Sequence, residues 1–178
     1  MPVETGGAGS GECPQPVSES RVFDGDLEIA NAEDLEEARK YTEITGALQI
    51  SVEELELPAL VRLGGDLSSF GTTSVRLPAL TEVGGSVYYY LDEAIEILDL
   101  RNLRSVGDQF WVHRNLALRE LQIDALAEVG ADLQISANLK LPDCFLDVVD
   151  TRLPVLHTMA PEGCTCTRSC GVVSVACE

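Results

Sequence analysis

A short strand cassette recurs six times along this chain, and the recurrence restricts the possible folds more than any other feature does. The copies are Leu27-Glu28-Ile29, Leu48-Gln49-Ile50, Leu67-Ser68-Ser69-Phe70, Val87-Tyr88-Tyr89-Tyr90, Phe110-Trp111-Val112-His113 and Leu133-Gln134-Ile135. Their first residues lie 21, 19, 20, 23 and 23 positions apart. A glycine shortly precedes each copy: Gly25, Gly46, Gly65, Gly85, Gly107 and Gly130. A second cassette follows within four of the coils, beginning at Leu55, Val75, Leu98 and Leu121, as in Leu55-Glu56-Leu57-Pro58-Ala59-Leu60. It runs on through a Leu or Val into the next glycine, as in Leu63-Gly64-Gly65 and Val83-Gly84-Gly85. A period of this length with two-residue alternation inside it describes a solenoid, one coil per repeat. We therefore expect a mainly β chain of about six stacked coils.

The same residues assign the parts of each coil. Leucines point inward and stack from coil to coil. Glycines allow a positive φ or a close approach to the neighbouring coil. Pro58 and Pro78 fall where a short strand has to end. Six coils spaced about 4.8 Å apart build a stack of roughly 25–30 Å. Its two ends expose unpaired strand edges and need cover. Residues 32–41 read as a cap helix with Asn31 as N-cap. Glu33, Asp34, Glu36 and Glu37 lie early in it and Arg39 and Lys40 at its end, which suits the helix dipole. Leu35 and Ala38 form its inward stripe. Residues 142–153, bounded by Pro142 and Pro154, read as a second cap helix with Leu146, Val149 and Leu153 on one face. Residues 1–21 then form a flexible linker, 22–153 the solenoid with its caps, and 154–178 a cysteine-rich tail.

Charge narrows the partners. Thirty acidic against 12 basic residues give a net charge of −18, which repels phosphate backbones and anionic lipid surfaces, so nucleic acid is excluded as a partner. No apolar run approaches the roughly 20 residues of a transmembrane helix, so no direct membrane insertion is expected. Cys164, Cys166, Cys170 and Cys177 crowd the last fifteen residues, with Cys144 and Cys13 upstream. That density reads as disulfides formed in an oxidising compartment. Zinc is the competing reading, without the paired C-x2-C knuckles that would favour it. We expect two disulfides among the last five cysteines, with Cys144 tying the cap helix to the tail. The remaining thiol and Cys13 are left free, paired at long range or intermolecular. The opening Met1-Pro2-Val3-Glu4 shows no signal peptide, so a leader missing or removed from this chain is expected. No cofactor or metal is expected: Asp24, Asp26, Glu43, Glu53, Glu54 and Glu56 follow no calcium-loop pattern and read as a solvated acidic face.

The opening Gly25-Asp26-Leu27-Glu28-Ile29, the helix running into Tyr41-Thr42-Glu43-Ile44-Thr45-Gly46-Ala47-Leu48-Gln49-Ile50, and the repeated Leu-Pro-Ala-Leu-x-x-Val-Gly-Gly phrase resemble the receptor L-domain family. That family is known from the extracellular ligand-binding lobes of insulin and epidermal growth factor receptors. The glycine-rich phrase is similar to bacterial secreted members with leucine-rich-repeat character. The resemblance covers about residues 22–153, and differs in having no cysteine between Cys13 and Cys144. It implies a right-handed β-helix or leucine-rich-repeat-like solenoid, extracellular or cell-surface placement, and binding rather than catalysis.

A binding surface follows from the alternation. With Leu27 and its equivalents inward, one outward row reads Glu28, Gln49, Ser68, Tyr88, Trp111, Gln134 and the next Ala30, Ser51, Phe70, Tyr90, His113, Ser136. Four of the chain's nine Phe, Trp and Tyr residues (Phe70, Tyr88, Tyr90 and Trp111) fall in these rows, with His113 as a fifth ring. They form a candidate contact surface for a protein or carbohydrate ligand. The other readings of the patch are cross-strand stacking that merely stabilises the sheet and cover by a loop or the N-terminal tail, and the alternative function is that of a purely structural or adhesive surface protein. Tyr89 is expected inward, its hydroxyl reaching a backbone group. Asn115 and Asn138 read as turn formers, the Asp92-Glu93 pair as a solvated turn, and His157 as exposed. Solenoids of this kind also include polysaccharide-cleaving enzymes, whose carboxylates converge within roughly 5–10 Å. Here the outward rows carry one carboxylate, Glu28, so the chain reads as a binding module and not an enzyme.

Overall fold

Two-residue alternation produces strands two to four residues long, and these stack in parallel register into three faces of one solenoid. The structure is a computed structural model that describes residues 20–141 and two further strands, Thr165–Ser169 and Val172–Ala176. The first face comprises Val22–Phe23, Glu43–Ile44, Arg62–Leu63, Glu82–Val83, Ser105–Val106 and Glu128–Val129. The second comprises Leu27–Ile29, Leu48–Ile50, Leu67–Ser69, Val87–Tyr90, Phe110–His113 and Leu133–Ser136. The third has four strands: Glu54–Glu56, Ser74–Arg76, Ile97–Asp99 and Glu120–Gln122. The described chain thus makes five full turns and begins a sixth, close to the six coils expected. The third-face strands coincide with the second cassette.

The core is a set of columns. Leu48, Leu67, Val87, Phe110 and Leu133 stack behind the second face, Ile44, Leu63, Val83 and Val106 behind the first, and Leu55, Val75, Leu98 and Leu121 behind the third; all are buried. Each fully buried aliphatic side chain contributes about 1.5–3 kcal/mol. The Leu-Pro-Ala-Leu phrase turns the corner from third to first face with two leucines buried, as Leu80 N–H donates to the Leu77 carbonyl at 3.1 Å. Close approach explains the corner glycines from the second coil on, whereas Gly25 has a left-handed backbone with φ of 104°. A Cβ at Gly107 would lie 2.0 Å from the Gly84 carbonyl oxygen, and one at Gly130 2.0 Å from that of Gly107.

The helix α1 spans Ala32–Ala38, shorter than the stretch 32–41. Asn31 caps it, its side-chain oxygen accepting from the N–H groups of Glu33 (2.9 Å) and Asp34 (3.0 Å). Arg39 and Lys40 lie just past its last turn and fold back onto Glu36 and Glu37. α1 fills the third side of the first coil, and Arg39 Nε reaches the Glu56 carbonyl at 3.5 Å on the edge strand of the third face. The ladder begins one residue before the expected boundary: Thr42 N–H donates to the Arg21 carbonyl at 2.8 Å.

The second cap helix, His157, Cys13, Cys144, Cys164, Cys170 and Cys177 lie outside the described residues. Within the tail, Thr165–Ser169 pairs antiparallel with Val172–Ala176, setting Cys166 opposite Val175. The β-branched residues flanking Cys170-Gly171 are the signal for this hairpin.

Candidate functional site: the aromatic strand face

The second face orders its outward side chains by register. Tyr88 stands beside Trp111 and Tyr90 beside His113. Tyr88 and Trp111 meet edge to face, ring centroids 5.9 Å apart. Tyr90 and His113 stack almost parallel at 5.6 Å. Each such pair stabilises by about 0.5–1.5 kcal/mol beyond its buried area. Their polar tips bond to the next coil. Tyr88 Oη donates to Gln109 Oε1 (2.9 Å), and Trp111 Nε1 donates to Asp132 Oδ2 (3.2 Å). His113 Nδ1 and Ser136 Oγ lie 2.6 Å apart, with Ser136 buried so that its hydroxyl serves to fix the ring.

The five sequence-derived residues therefore divide into two groups. Tyr88, Trp111 and His113 are half-buried and committed to neighbours. Phe70 is 81% and Tyr90 53% exposed. Phe70 enters no ring contact among the described residues, although its N–H is held by the Ile50 carbonyl at 2.9 Å. Leu91, Leu116 and Leu139 add exposed apolar surface beyond the strand ends, which the alternation alone does not mark.

Beneath this margin runs a buried ladder that holds the strand ends. Asn115 Oδ1 accepts from the Asp92 N–H at 3.0 Å, and Asn115 Nδ2 donates to the Tyr89 carbonyl at 2.8 Å. One coil on, Asn138 Oδ1 accepts from Asn115 N–H (2.9 Å) and its Nδ2 donates to the Val112 carbonyl (2.7 Å). The residues before each rung, Leu91, Arg114 and Ala137, have φ of 55°, 56° and 54°. Left-handed backbone at non-glycine residues costs roughly 1–2 kcal/mol each, and the ladder bonds offset it. Asn115 and Asn138 are thus turn formers as expected. Asp92 is not solvated as expected but 6% exposed, its carboxylate accepting from the N–H groups of Ala94 and Ile95.

Tyr89 is core, as expected, but its hydroxyl reaches no backbone group and has no hydrogen-bond partner among the described residues. The neighbouring Ser69 donates to Asp92 Oδ2 instead, at 3.5 Å. Burial pushes the Tyr89 phenol well above its ordinary pKa; the nearby Ser69 hydroxyl works against that rise and the Asp92 charge adds to it.

Ion pairs lie elsewhere. Every ion pair among the described residues sits on α1 or around the first and third faces, as in Arg62–Glu82 and Arg119–Glu96, both 3.2 Å. Among the described residues no group of three or more His, Cys, Asp or Glu comes together as a metal site. A hollow of about 700 Å³ runs along the corner of the first and second faces, lined by Gly84, Gly107, Gly130 and small residues such as Ala127 and Ala131. None of its lining residues belongs to the aromatic rows. No family model, curated protein or solved structure matches this chain.

Proposed function

We propose that the chain is a receptor L-domain-like, non-catalytic recognition module of the extracellular space or cell surface, contacting a protein or glycan through its aromatic strand face. The observation that carries this reading is the exposure of Phe70 and Tyr90, two large rings held outward on a platform whose register and strand ends are fixed from below. Exposed apolar side chains clustered on a rigid surface are a common mark of an interaction site. The stabilising role of cross-strand stacking also has support, from the half-buried Tyr88–Trp111 pair with its satisfied polar tips. The two roles fall to different residues of one face, so they do not compete.

Trp111, the only tryptophan, is the built-in reporter, one coil from Tyr88 and diagonal to Tyr90. Candidate protein and glycan ligands are titrated while its emission is followed. A saturable change that disappears in a Phe70→Ala, Tyr90→Ala double variant is the expected outcome. Ligand binding that this variant leaves intact would refute the assignment of the face.

A further inference from the structure

The groups free to bind are not spread evenly over the aromatic face. From the fourth coil onward three outward side chains are hydrogen-bonded to the next coil, Tyr88 to Gln109, Trp111 to Asp132 and His113 to Ser136, while Tyr90 makes no side-chain hydrogen bond among the described residues and stacks one ring face on His113. In the second and third coils Gln49, Ser51 and Ser68 make no side-chain hydrogen bond among the described residues. Gln49 and Ser51 are exposed. Register places Gln49 beside Ser68, and the Phe70–Ile50 backbone bond sets Phe70 next to Ser51. Val87 pairs with Leu67 and Tyr88 with Ser68, which puts Tyr90 one coil beyond Phe70, about 4.8 Å along the stack.

We infer that this quintet, Gln49, Ser51, Ser68, Phe70 and Tyr90, is a subsite for a neutral glycan, an inference that rests on the recognition reading above. The chemistry of the free groups selects the ligand. The Phe70 ring and the face of Tyr90 not stacked on His113 take the C–H faces of sugars, while one amide and two hydroxyls donate to and accept from sugar hydroxyls. Charge removes the alternatives. The twelve outward positions of this face hold no Lys or Arg and one carboxylate, Glu28, in a protein of net charge −18. An anionic glycan meets no cation at these twelve positions, with the exposed Arg114 one residue beyond His113, and a repulsive field of the whole protein around it. A basic peptide finds one carboxylate, Glu28, among these positions, while the carboxylates that form ion pairs with cations lie on the other faces. An uncharged, hydroxyl-rich ligand is matched by what this face offers.

The test is calorimetric titration of the full chain with cellohexaose, xylohexaose, mannohexaose and maltohexaose, each to about 10 mM. Polygalacturonate and polylysine serve as charged counter-probes. The expected result is binding of at least one neutral hexaose, weakened at least about tenfold by Phe70→Ala and by Tyr90→Ala, weakened also by Gln49→Ala, and insensitive to salt. Thermal melts of these surface variants, matching the parent, establish that they fold. Failure of all four neutral probes to bind overturns the inference. Binding of polygalacturonate or polylysine that the two aromatic variants abolish also overturns it, while leaving the face as a recognition surface. Neutral-glycan binding that the aromatic variants do not alter overturns both readings.

Discussion

Asn115 is fully buried and its side chain satisfies two backbone groups of the preceding coil, so Asn115→Ala should be among the most damaging single changes in the solenoid. The amide accepts from Asp92 N–H and donates to the Tyr89 carbonyl. Its removal orphans both, and each buried unpaired group costs about 1–3 kcal/mol, giving about 2–6 kcal/mol in all. Total stability of a domain is about 5–15 kcal/mol, so the loss is a large share of it. With a urea m-value of about 2 kcal/mol/M, the unfolding midpoint should fall by about 1–3 M. The assay is urea unfolding followed by far-ultraviolet circular dichroism and Trp111 emission together. Asn102→Ala is the control, because Asn102 Nδ2 donates to the Pro78 carbonyl at 2.7 Å from an exposed position where water can replace it. Asn115→Asp sharpens the test. It keeps the acceptor for Asp92 N–H and can donate to the Tyr89 carbonyl only while its carboxyl is protonated, and burial raises that carboxyl's pKa. A raised folded-state pKa means the native state holds its proton longer, so this variant should lose further stability as pH climbs above about 4. A midpoint shift for Asn115→Ala no larger than that of Asn102→Ala would refute the ladder's role.

Other perturbations probe separate parts of the fold. Gly107→Ala drives a methyl to 2.0 Å from the Gly84 carbonyl oxygen and should destabilise by about 1–3 kcal/mol or more, read as a lowered melting temperature; a neutral effect would mean the coils are not in close contact there. Tyr89→Phe removes a buried hydroxyl with no hydrogen-bond partner among the described residues and should be neutral or stabilising at pH 7. Because burial raises the Tyr89 pKa, its contribution is intact below about pH 10 and is lost as pH rises beyond it. The parent should therefore weaken more than Tyr89→Phe in urea titrations between pH 9 and pH 11, on the order of two pH units apart. Asn31→Ala deletes the cap of α1 and should cost about 0.5–2 kcal/mol, seen as a lower urea midpoint.

What could be read from the chain beforehand was whatever depends on period alone. Leu48, Leu67, Val87 and Phe110 are buried because alternation puts them inward whatever their neighbours are, and the second cassette occurs as often as the third face has strands. Properties that depend on which side chain lies one coil away were not legible. Asp92 looked like a turn carboxylate beside Glu93. Its spacing of 23 from Asn115, and of 23 again to Asn138, was the available sign that it belongs to a buried column. The Tyr89 hydroxyl depends on Ser69 turning to Asp92, a choice between partners in neighbouring coils. The outward direction of Tyr88 and Trp111 was readable, but their exposure was not, because it depends on side chains leaning onto the next coil. The tail hairpin was obscured because cysteine spacing drew the reading away from the β-branched pattern around Cys170-Gly171.

The direction of that leaning has a consequence for where such a surface can bind. Tyr88 reaches Gln109 and Trp111 reaches Asp132, the same step of 21 residues toward the C-terminal coils. His113 reaches Ser136 in the same sense. Each bond satisfies a polar tip with a group from the following coil, so the rows become self-satisfied in the direction of the chain. At these positions the second and third coils supply Gln49, Ser51, Ser68 and Phe70, none of which makes a side-chain hydrogen bond among the described residues, and the column stays open there. A ligand that needs free hydrogen-bonding groups beside exposed rings finds both only where the self-satisfied rows end, at Phe70 and Tyr90. Extending the ladder backward, for instance with Ser68→Tyr, would close this margin by the same physics that closes the coils above it.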